Sequence, residues 1–177
     1  MIAHTDEGFS SPPSETRSFT VKKYFEEFPF TEIFDDDSPT RELWHQIYIE
    51  GSNDWTFGPG AENGGSGRIE EAFTGTKNAR FHRSPVFARR QTILVTPPVQ
   101  TASLDSPALL FYYAMDQFSP LNDENTLSVH YRIIDENGVD DADWIELFSN
   151  SAHTPEWTPV LLDLPEDVLI EVGFWGN

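Results

Sequence analysis

The chain of 177 residues contains no cysteine. That excludes disulfide staples, zinc–thiolate sites and thiol nucleophiles together, while leaving the compartment open. Basic residues are also scarce: 11 Lys and Arg stand against 30 Asp and Glu, a formal net charge of −19. A surface of that sign repels phosphate backbones and anionic headgroups, which argues against nucleic acid and against an anionic membrane as partners. No apolar run reaches the roughly 18 residues a spanning helix needs, so direct membrane insertion is not expected. The N-terminus lacks the apolar core of a secretory signal. Long helical periodicity is missing as well.

What remains is a chain of short strands. Residues 1–18, "MIAHTDEGFSSPPSETRS", are rich in Ser, Pro and acid and read as a flexible leader, leaving one domain over 19–177. "LSVHYRIID" (127–135) alternates, with Leu127, Val129, Tyr131 and Ile133 on one face and Ser128, His130 and Arg132 on the other. "ALLFYYAM" (108–115) is almost continuously apolar, which predicts a central strand buried on both faces and paired with 127–133. "WIELF", "TPVLLDL" and "LIEVGFW" complete the set, separated by Asn, Asp, Gly and Pro clusters. "DENG" (135–138) reads as a turn and "PGAENGGSG" (59–67) as a surface loop without the Lys of a phosphate-binding loop. "SPTRELWHQIYIE" is the best helical stretch, with Ser38 as cap, Pro39 in the first turn and Glu42 closing a capping-box-like arrangement. Short strands without βαβ spacing predict an all-β protein, a β-sandwich or jelly roll of two antiparallel sheets.

The segment "ILVTPPV" (93–99) runs a good strand into two residues without an N–H. Around it the landmarks fall in order: "YFEEF" (24–28), "NDWTF" (53–57), a Gly-rich loop, "NARFH" (78–82), then "ILVTPPV". "SPALLFYYAM", "TLSVHYRI", "EWTPVLLDLP" and "LIEVGFWG" follow. This succession over residues 20–176 resembles the MAM domain and its bacterial relatives, the cleaved-adhesin and choice-of-anchor domains. The resemblance implies a jelly-roll sandwich, secreted or at the cell surface, used in adhesion or in binding carbohydrate or protein. The absence of cysteine favours the bacterial branch. In such a fold the Pro97–Pro98 pair ends pairing where the chain passes from one sheet to the other. The family's terminal strand, with an Asp-Asp pair, has no counterpart before "GFWGN". An unpaired sheet edge near "VKKYFEEF" is therefore expected, one that self-associates or is covered by the leader.

The functional candidates are few. The five histidines are scattered, no nucleophile-elbow motif is present, and with 30 acids chance carboxylate pairs are cheap. The expected function is therefore non-catalytic: an adhesion or ligand-binding module. The alternatives are an accessory targeting domain of a larger secreted hydrolase and a jelly-roll glycosidase or lyase. The acid excess is either a solvated surface or, in part, a site for structural Ca²⁺. In the resembled family a first-strand Glu helps hold a cation; Glu26 matches it, with Asp35, Asp37 and Asp54 as further candidate ligands beside Asp36. Trp55 and Trp157 match structural positions, whereas Trp44 and Trp175 are the candidate ligand-binding aromatics, since Trp can stack on sugar rings.

Overall fold

In the computed structural model the described residues are 24–61, 69–82, 90–115, 125–135 and 143–177. The expected leader (1–18), most of the glycine-rich loop and most of the 135–138 turn lie outside them. The described residues form ten strands: β1 His45–Glu50, β2 Trp55–Gly58, β3 Asn78–Phe81, β4 Gln91–Val95, β5 Val99–Gln100, β6 Ala108–Met115, β7 Leu127–Ile133, β8 Ile145–Asn150, β9 Thr154–Asp163 and β10 Leu169–Gly176. Every pair of these strands is antiparallel. One large sheet runs β1-β4-β10-β7-β8, with β5 also on β10; β2–β3 and β6–β9 form two smaller ribbons.

The β6–β9 ribbon packs on the large sheet and makes the protein an all-β sandwich. Alternation decides which side chains do this. Leu109 and Phe111 of β6 and Leu162 of β9 point inward against Val129, Ile170 and Val172. Phe111 meets Phe148 and Phe174 edge-on, at 5.7 and 5.4 Å. The β2–β3 ribbon sits at the end of β10, where Gly176 leaves room for the Phe81 ring. Trp55 is buried beside it and donates its indole N–H to the Thr92 carbonyl at 2.9 Å.

Three expectations are corrected here. The 108–115 strand is neither central nor buried on both faces, and it does not pair with 127–133; it pairs with β9, and its residues alternate between half-buried and exposed. The strands covered on both faces are β4, where Thr92 to Val95 are all buried, and the middle of β10. An apolar run records affinity for burial, but only the fold decides how much cover a strand receives. The stretch "SPTRELWHQIYIE" forms one 3₁₀ turn, Arg41–Leu43, without a side-chain cap, and then β1. Pairing with β4 from His45 to Glu50 outweighs a modest helix propensity.

The third correction concerns Pro97 and Pro98. They do not mark a crossing between sheets: β4 lies along one half of β10 and β5 along the other, so the chain stays in the same sheet. Thr96 bridges the interruption. Its N–H donates to the Val172 carbonyl at 2.9 Å, and its hydroxyl accepts the Val172 N–H at 3.0 Å. The Pro98 carbonyl accepts the Phe25 N–H, and the Gln100 N–H returns a bond to the Phe25 carbonyl. The N-terminal stretch is thereby fixed beside β5 through a single parallel bridge, Phe25 to Val99.

Candidate functional site

Two surfaces concentrate chemistry. The first is the face of the large sheet turned away from the β6–β9 ribbon. Because side chains alternate, Ser128, His130 and Arg132 of β7 share it with Glu171, Gly173 and Trp175 of β10. Gly173 is there for space: a Cβ would lie 2.7 Å from Ile93 and 2.8 Å from the Trp144 ring, so glycine lets Trp144 lie against the sheet. Arg132 stacks over Trp144 at 4.6 Å and grips Glu171 through two N–H donors, at 2.6 and 2.9 Å. Glu171 is only 7% exposed, so this is a buried ion pair.

His130 packs against Trp175, ring centroids 4.7 Å apart. Its Nε2 lies 2.9 Å from the Ser128 hydroxyl and 3.8 Å from Glu146. Burial pushes the His130 pKa down from its ordinary value, and Glu146 partly opposes this. A Ser–His contact resembles half of a catalytic triad, but a triad needs its carboxylate on the other ring nitrogen to orient the base. Here the carboxylate approaches Nε2, and Nδ1 is buried without a hydrogen-bond partner. The cluster is a packed aromatic and ionic layer with only a rim of Glu146 exposed.

The second surface is the outward face of the β6–β9 ribbon. Leu110 lies directly opposite Leu161 and Tyr112 opposite Pro159. Leu161 is 68% exposed and Leu110 56%. Phe73, also exposed, stacks flat on Tyr112 with ring centroids 3.6 Å apart and meets Trp157 edge-on at 6.3 Å. The Trp157 indole N–H donates to the Glu71 carbonyl at 3.1 Å, which ties the Phe73 segment to β9. This is a continuous aliphatic and aromatic strip on a rigid ribbon. The sequence signal for it lies in "ALLFYYAM" and "TPVLLDL", but an apolar run by itself points to burial and not to an exposed face.

The residues expected to form sites are dispersed. Asp35 accepts the Thr76 N–H at 2.8 Å, the Thr76 hydroxyl at 2.9 Å and the Lys77 N–H at 2.8 Å. The Thr76 backbone bond is the main reason its carboxyl is held below the usual range. Gly75, at φ +68°, makes that turn possible: its would-be Cβ falls 2.6 Å from the Asp35 carboxylate. Asp36 is held low by Lys77 and then Arg41, at 2.6 and 2.9 Å. Asp54 accepts the Tyr48 hydroxyl, which raises the tyrosine's pKa. Glu26 and Asp37 are exposed. Among the described residues no three His, Asp or Glu side chains converge into a metal-holding group.

Trp44 and Trp175 do not share a surface. Trp44 packs against Phe34 and Phe174 on the core side, and Trp175 lies in the His130 layer on the opposite face of β10. Each keeps a buried indole N–H without an acceptor. A shallow depression of about 370 Å³ is lined by Phe25 and residues 27–31 and brings no second titratable group to Glu27. No helix among the described residues is long and apolar enough to cross a membrane. Comparison with protein-family models and with curated proteins returns no match, so the chemistry of these surfaces is the ground on which function is argued.

Proposed function

We propose that this chain is a non-catalytic binding module of the adhesion type, secreted or displayed at a cell surface, that takes its ligand on the outward face of β6–β9. One observation carries the reading: Leu110 and Leu161 stand side by side in solvent on paired strands, flanked by the Phe73–Tyr112 stack. Contiguous exposed apolar surface is costly and is characteristic of interaction sites. Rigid rings and leucines on paired strands lose little conformational entropy when covered. The ligand is a protein surface, because two leucines form the middle of the strip and the Phe73 and Tyr112 rings already use one face each on one another. A module of this kind would equally serve as the targeting domain of a larger hydrolase.

Panning a random peptide library over the immobilised protein, with the Leu161→Asp variant as counter-selection, tests the reading. A recurrent sequence is expected among the retained peptides; retention no better on the native protein than on the variant would sink it. Carbohydrate is the second reading, favoured by the three aromatic rings at one end of the strip. A glycan array with and without EDTA decides it: a signal lost in Tyr112→Ala replaces protein with sugar as the ligand, and its loss in EDTA brings in a cation.

A further inference from the structure

The charge around the apolar strip identifies the partner more narrowly. Strands β6 and β9 and residues 69–76 contain no Lys or Arg, and from residue 91 to residue 177 the single Lys or Arg is Arg132, which is closed on Glu171; His130 and His153 are the histidines of that stretch. At the margins of the strip stand exposed carboxylates: Glu71 beside Trp157, Glu156 next to it on β9, and Asp163 opposite Ala108. Of the two cations that flank the Phe73 segment along the chain, Lys77 is held by Asp36 at 2.6 Å, and Arg68 lies outside the described residues. We propose that this face docks a cationic amphipathic segment of another protein, with apolar side chains over Leu110 and Leu161 and Lys or Arg toward the acidic margin. The inference rests on the reading of β6–β9 as the binding surface. A second copy of this chain is a poor occupant, since it would bring acid against acid at the rim, and like charges facing each other disfavour a complex. A complementary charge, by contrast, speeds encounter and fixes orientation around an apolar centre.

Three short peptides with the same leucine spacing, alternating with Lys, Ser or Glu, separate the possibilities when titrated into the full chain by fluorescence anisotropy. The Leu/Lys peptide should bind best, weaken with salt, and bind Leu161→Asp about thirtyfold less tightly, the scale of a hot-spot truncation. The sign is informative, because Leu161→Asp adds negative charge and attraction to charge alone would tighten binding. Ile145→Asp, at an exposed position on β8, adds the same charge elsewhere and should leave affinity unchanged. Undiminished binding to Leu161→Asp, or no binding of the Leu/Lys peptide at all, would overturn the proposal. Equal binding of the Leu/Ser peptide, lost in Leu161→Asp, would overturn its cationic part and leave the surface itself as the binding site.

Discussion

At the scale of single residues the sharpest test is the Arg132–Glu171 pair. Glu171 is buried, and among the described residues Arg132 is its one close cation, so Arg132→Ala strands a charge in a poorly hydrated place. A loss of about 3–5 kcal/mol is expected, read from the midpoint of urea unfolding. Replacing both residues by methionine should recover most of it, because the loss comes from the unpaired carboxylate rather than from missing attraction. His130 makes a different prediction. Its folded-state pKa lies below the ordinary 6.5, chiefly through burial. The unfolded chain therefore takes up a proton more readily than the folded one, and stability should fall as pH drops below about 6.5, levelling off once the folded form is protonated too. Unfolding free energies measured between about pH 7.5 and 5 should show a slope that His130→Gln flattens. A slope unchanged in the variant would mean that another group titrates there.

At the scale of elements, the β4–β5 interruption shows how a strand survives two prolines. Thr96 supplies from its side chain the acceptor that an unbroken ladder would supply from its backbone. Thr96→Val keeps the shape and removes that acceptor, leaving the buried Val172 N–H unpaired; the expected cost is about 1–3 kcal/mol in urea unfolding. Gly173 sets the spacing on the other side of β10. Gly173→Ala should dislodge Trp144 from the sheet and cost about 1–3 kcal/mol, with a shift in tryptophan emission. Unaltered emission would mean that Trp144 does not rest there. The β6–β9 ribbon predicts the opposite behaviour: Leu161→Ser, at an exposed position, should leave stability within about 0.5 kcal/mol of the native value.

For the whole molecule the dominant fact is a charge of −19. Among the described side chains, Asp36 meets Arg41 and Lys77, and Glu171 meets Arg132, but 11 Lys and Arg cannot neutralise 30 Asp and Glu. Self-repulsion therefore acts against the compact state and is long-ranged at low ionic strength. Raising salt from about 10 to about 150 mM shortens the screening length from about 30 to about 8 Å. The melting temperature should rise over that interval, and a fall would show that ion pairing outweighs the net repulsion.

How much of this was legible beforehand follows from the physics of each signal. Alternation and turn residues are local, so "ALLFYYAM" coincides with β6 residue for residue, while "LSVHYRIID" runs two residues past β7 and "LIEVGFW" stops one short of the end of β10. The all-β class and the outward placement of His130 followed from the same patterns. Composition by itself determined that no covalent staple could hold the fold and that the surface would be acidic. Which strand becomes central is not local. The apolar runs of β4 and β6 look alike, and only the arrival of β10 between β4 and β7 buried the one, while the other was left as a ribbon with a bare outer face. The pairing of Arg132 with Glu171, 39 positions apart, and the approach of Asp35 to Thr76 depend on the same long-range assembly. Sequence spacing carries the preference of each side chain for water or for burial, and tertiary structure decides which of those preferences are met. At Leu110 and Leu161 they are not met, and that bare apolar pair is the proposed binding surface.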